Sequence, residues 1–100
     1  MAGFNPPSWR TGHNVIAAAG TAEQCTAAAV LQGAIAVFRA RSTNTGVLYI
    51  GYNKADAEAN HFSIIPAGSI GLQVDNIGDV WIDAAEDGDI VEWMYEVATE

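Results

Sequence analysis

The chain is expected to fold as an all-β, single-domain antiparallel β-sandwich, jelly-roll-like, with about eight strands. Three observations predict this. Apolar and polar residues alternate with a period of two in the stretch Ile64 to Ala84 and again in Ile90 to Val97. Turn-forming clusters recur at intervals of about ten residues, the spacing of short strands joined by tight connections. No strand–helix–strand pattern interrupts them, so two antiparallel sheets are favoured over a parallel one.

The stretch from Ile64 to Ala84 sets the pattern. Pro66-Ala67-Gly68 is a reversal in which proline fixes φ and glycine permits a positive one. Ile70, Leu72 and Val74 then alternate with Gly71, Gln73 and Asp75. Asp75-Asn76-Ile77-Gly78-Asp79 turns the chain again. Val80, Ile82 and Ala84 follow, alternating with Trp81 and Asp83. Trp81 therefore points away from the core and is a candidate for a subunit contact.

Earlier in the chain, Pro6 and Pro7 exclude a strand interior and favour an extended path. Residues 1–12 are read as an extended N-terminal arm and residues 13–100 as the sandwich. Phe4 and Trp9 give the arm aromatic anchors for docking on a partner, with Arg10 beside them. Thr21-Ala22-Glu23-Gln24 followed by the alanine-rich run to Leu31 fits a capped helix. Gly20 and Gly33 punctuate it at strand-like intervals, so strands over His13–Ala18, Thr21–Thr26 and Ala34–Ala40 are preferred, with Ala27–Gln32 as a connection.

Ser42-Thr43-Asn44-Thr45-Gly46 is a polar turn leading into the strand Val47 to Tyr52. Asn53 to Asn60 is a loop or one short helical turn. His61 to Ile65 is the next strand. After the acidic turn Glu86-Asp87-Gly88-Asp89, the last strand carries Val91, Trp93, Tyr95 and Val97 inward and Glu92, Met94 and Glu96 outward.

A chain of 100 residues is one domain with one core. Four basic residues stand against twelve acidic ones, for a net charge of −8, and residues 56–100 hold eleven acids and no Lys or Arg. A phosphate-binding protein needs clustered cations, so nucleic-acid binding is not expected. No apolar run reaches the ~20 residues that span a bilayer. The first residues lack the basic and apolar regions of a signal peptide, so folding in a cytoplasm is expected.

Candidates for chemistry are few. Cys25, His13 and His61 would need an orienting third group and a cleft to form a nucleophilic pair, and no catalytic role is expected of them. Asp75, Asp79, Asp83, Glu86, Asp87 and Asp89 crowd two turns, but their spacing is not that of a calcium loop; they are read as solvated turn residues. No phosphate loop or Gly-x-Ser-x-Gly is present. No cofactor and no metal are expected.

Three segments together carry a resemblance: Ser42 to Gly51, Ile65-Pro66-Ala67-Gly68-Ser69-Ile70-Gly71-Leu72, and Val74 to Ala84. They resemble small virion structural proteins of tailed bacteriophages, short β-sandwiches that share a polar turn into a strand, a Pro-x-Gly reversal and a Val-Asp-Asn hairpin. The resemblance covers about residues 34–97. It implies capsid decoration, in which the protein binds the major capsid protein on the outer head surface as a homotrimer and clamps adjacent subunits. Localisation on the virion after assembly in the host cytoplasm follows from it. Head-fibre and tail components look similar, and a carbohydrate- or receptor-binding module is the competing class. The contact residues expected on this reading are Phe4, Pro6, Pro7, Trp9, Arg10 and Trp81.

Overall fold

The computed structural model describes residues 8–98. Eight strands form two antiparallel four-stranded sheets. They are β1 (Ser8–Val15), β2 (Glu23–Gln24), β3 (Ala36–Ala40), β4 (Leu48–Gly51), β5 (Ser63–Ile64), β6 (Ser69–Leu72), β7 (Trp81–Ala84) and β8 (Ile90–Val97). One short α-helix, α1 (Lys54–Glu58), lies between β4 and β5, and a single 3-10 turn, Ile77–Asp79, lies between β6 and β7. Sheet A has the order β1-β8-β3-β6 and sheet B the order β2-β7-β4-β5.

These orders follow one rule. β1 pairs with β8, β2 with β7, β3 with β6 and β4 with β5. The chain is thus one long antiparallel hairpin with α1 near its tip, rolled so that alternate pairs fall in opposite sheets. This is the jelly roll. Contacts of β8 with β3 and of β7 with β4 join the pairs within each sheet.

The rolling corrects two local readings. The segment from Val74 to Ala84 is not a paired hairpin, because β6 lies in sheet A and β7 in sheet B; the turn between them carries the chain across the sandwich. Trp9, Arg10 and the rest of Ser8–Gly12, expected in the arm, form the first part of β1 and pair with Val97 back to Trp93. The calls on Phe4, Pro6 and Pro7 fall outside the described residues. Residues 27–32 are a connection without regular structure apart from a bridge between Ala29 and Asn76, and the capped helix does not form.

Alternation decides which side chains meet. Ala36, Phe38 and Ala40 of β3 and Val91 and Trp93 of β8 face Leu48, Ile64, Ile82 and Ala84 of sheet B in one core. Phe38 is fully buried, and its ring lies 6.3 Å from that of Trp93 at 50°, a tilted arrangement that aromatic pairs favour. Gly12 sits across from Trp93 because nothing larger fits: a Cβ there would lie 2.5 Å from the indole nitrogen.

Of the acids expected to form a solvated rim, Asp75, Glu86 and Asp87 are exposed, but two others are not on the rim. Asp83 and Asp89 are buried, and both are satisfied. Ala17 N–H donates to Glu23 (2.7 Å), Ala19 to Asp87 (2.7 Å), Gly20 to Asp83 (2.9 Å) and Ala22 to Glu58 (2.9 Å). Carboxylates therefore serve as hydrogen-bond acceptors for an alanine-rich loop that has no ladder partner of its own. Asn76 does the same for the connection before β3, its Oδ1 accepting from Ala28 (3.0 Å) and from Gly78 (2.8 Å). Asn53 caps α1 by accepting from Asp56 N–H.

The two sheets differ on their outer surfaces. α1 packs on the outer side of β4 and β7 and buries Ala57 there. Nothing within the described residues covers the corresponding side of sheet A.

Candidate docking face

Strand register places the outward residues of sheet A in rows. Thr11 is opposite Met94, His13 opposite Glu92, and Trp9 opposite Glu96. Met94 and Glu92 are in turn opposite Val37 and Arg39, and Arg39 is opposite Ser69. Ile35, just before β3, extends the row of Val37 and Arg39 by the same two-residue step.

One half of this face is charged. Glu92 lies between two arginines. Arg39 donates to Oε1 through Nε (2.9 Å) and Nη2 (2.6 Å), and Arg41 donates to Oε2 through Nε (2.9 Å). These are the ion pairs of the described residues. Hydrogen bonds from Arg39 first and Arg41 second hold the Glu92 carboxyl below the usual glutamate range. The cluster borders a groove of about 650 Å³ whose lining includes Thr11, His13, Arg39, Arg41, Ser69 and Met94.

The other half is apolar. A second hollow of about 430 Å³, lined by Trp9, Ile35, Val37, Met94, Tyr95 and Glu96, adjoins the first and shares Val37 and Met94 with it. Trp9 is 64% exposed, Ile35 51% and Met94 46%. These large apolar side chains stand in water around Glu96, which lies opposite Trp9, and clusters of this kind are found at protein contacts.

Of the residues expected to make contacts, the three that are described, Trp9, Arg10 and Trp81, are not brought together. Trp9 stands at one corner of this face. Arg10 alternates to the other side of β1, in register with Tyr95, and donates to the carbonyl of Trp9 (3.2 Å). Trp81 is half-buried on the outer side of sheet B, in register with Gln24 and Gly51. Of the residues that do converge, the sequence placed Glu92 and Met94 outward on the last strand, assigned Val37 and Arg39 no face, and left Arg41 outside the strand Ala34–Ala40.

The candidates for chemistry separate as well. Cys25 is buried in the core, and burial pushes its thiol up to about 12, which leaves almost no thiolate to act as nucleophile. His13 is on the outer face of sheet A and His61 is exposed before β5. Among the described residues no group of three or more His, Cys, Asp or Glu is placed to hold a metal. No helix among them is long and apolar enough to cross a membrane.

No protein-family model matches the chain, and the comparisons with curated proteins and with solved structures find no match of significance.

Proposed function

We propose that this chain is a structural protein of a virion that decorates the capsid: it binds the major capsid protein on the outer head surface, as a homotrimer, and bridges adjacent subunits. The observation that carries the reading is the uncovered outer face of sheet A, where Trp9, Ile35 and Met94 stand exposed beside a fixed arginine pair. Burying such a cluster is worth about 25 cal/mol per Å² before the costs of association. The jelly roll, a fold used by capsid proteins and lectins, and the resemblance of residues 34–97 to small phage structural proteins support the same reading. Repetition on a shell multiplies weak contacts, since one oligomer touches several subunits at once.

The test is co-sedimentation of the purified chain with shells of the phage that encodes it, with mass measured by light scattering. Binding to saturation and a mass of three subunits are expected. A chain that stays in the supernatant, or a monomer, removes the reading or its oligomeric part respectively. The same fold and the polar half of the groove, with His13, Arg39, Arg41 and Ser69 on its walls, favour a carbohydrate- or receptor-binding module, on a head fibre or tail, as the second reading. It predicts glycan-dependent tryptophan fluorescence instead.

A further inference from the structure

Arg39 and Arg41 make three hydrogen bonds to Glu92 and use both of its oxygens. A guanidinium has five N–H donors, and both Nη atoms of Arg41 make no further hydrogen bond within the described residues. Two positive charges held by one negative charge leave the cluster net positive at the rim of an open groove. We infer that this face docks an extended, carboxylate-bearing segment of the shell protein: Arg39 and Arg41 take the carboxylate, and Ile35, Val37, Met94 and Trp9 take the apolar side chains beside it. The inference rests on the shell-binding reading and names its chemistry.

Charge selects the orientation. Arg39 and Arg41 against Glu92 and Glu96 leave the outer face of sheet A neutral, so the whole net charge of −8 lies elsewhere on the chain. The remainder of the molecule, taken together, repels an acidic partner and this face does not, which is how complementarity sets register and on-rate. Spacing selects the shape. Ile35, Val37, Arg39 and Arg41 repeat every two residues along one line, about 6.6–6.8 Å apart. An extended segment lying along that line presents its own alternate side chains at the same interval. Two apolar residues followed by an acid would fall on Ile35, Val37 and the arginines. Glu92 acts as a positioning residue, holding both guanidinium planes in the groove.

The experiment measures binding to the purified phage shells for the unmodified chain, Arg41→Gln, Met94→Lys and Lys54→Gln, each first shown by its melting curve to be folded at the assay temperature. Lys54 opens α1 on the opposite sheet. Arg41→Gln should weaken binding about tenfold and reduce its salt dependence. Met94→Lys should weaken it at least as much, and Lys54→Gln should leave it unchanged. Equal binding by Arg41→Gln and Met94→Lys overturns the docking face while leaving shell binding intact. So does a change in their oligomeric mass without a change in shell affinity, which assigns the face to a second copy. Competition by a soluble polyuronate at the same arginines assigns it to an acidic glycan and also overturns it. No binding by the unmodified chain overturns the decoration reading itself, and this inference with it.

Discussion

Asn44 and Ile90 exchange two hydrogen bonds of 2.8 Å: the Asn44 side-chain amide donates to the Ile90 carbonyl, and the Ile90 N–H donates to Asn44 Oδ1. A side chain here imitates a strand partner. Next to it Asp89, buried, accepts from the backbone of Thr45 (3.0 Å) and Gly46 (2.8 Å). The polar turn before β4 and the acidic turn before β8 are thereby locked to each other.

Removing Asn44 leaves the Ile90 N–H without its partner, while the Ile90 carbonyl keeps the bond from Arg41 N–H (3.1 Å). Asn44→Ala should cost about 1–3 kcal/mol. At about 4–8 °C per kcal/mol for a domain of this size, a thermal melt will show it clearly. Asp89→Ala should lie in the same range, and the double variant should lose less than the sum, because the two residues secure the same pair of turns.

Gly51 is required by α1 and not by its own backbone angles. A Cβ at position 51 would overlap the Ala57 amide nitrogen and lie 2.7 Å from the Asp56 carbonyl carbon. Backbone cannot rotate aside as a side chain can, so Gly51→Ala should destabilise by about 1–3 kcal/mol through overpacking. Gly33→Ala offers a comparison of a different kind: its φ is +83° and nothing lies within 4 Å of the added methyl. Its loss should come from backbone strain alone, about 1 kcal/mol. Chemical denaturation of both variants separates the two causes.

The Glu92 cluster gives stability a defined pH dependence. Its carboxyl is held below the ordinary value of 4.5 by Arg39 and Arg41, so the folded chain binds that proton less readily than the unfolded chain. The contribution is complete above the ordinary value and fades as pH falls through the lowered one. Glu92→Gln should therefore narrow its stability gap to the unmodified chain as pH drops from neutrality to below 4.5. Both arginines are partly exposed, so added salt should narrow the same gap at neutral pH. Melting curves across pH and salt measure both effects.

Burial, with the thiol pushed up to about 12, makes Cys25 a reporter of global opening. A thiol-specific reagent at about pH 8 should leave the folded chain untouched and label it at the rate of unfolding, or at once in denaturant. Rapid labelling of the native chain would contradict the core position of Cys25.

Much of the fold was legible because alternation is local. Val91, Trp93 and Tyr95 were correctly read as the inward side of β8, and Trp81 as lying off the core, from their neighbours alone. The extent of β1 was not legible. Ser8 to Gly12 follow two prolines and include a glycine, and what makes them strand is pairing with β8, more than eighty residues further on. Asp83 and Asp89 were misread for a related reason. An acid in a turn is normally solvated, and only the loop folded over Asp83 and the turn against Asp89 bury them. The candidate docking face was hidden because residues 35 to 41 and 90 to 96 give no sign in the sequence of being neighbours.

By itself the sequence determined the all-β class, the turns and strands from residue 42 onward and the inward sides of β6, β7 and β8, since period-two alternation and turn residues act over a few positions. The tertiary structure decided which strands pair, which acids are structural, and which outward side chains share a surface. Those outcomes depend on contacts such as Gly20 with Asp83, Asn44 with Ile90 and Arg41 with Glu92. Each joins residues distant in the chain, and each exists only once the long hairpin has rolled into two sheets.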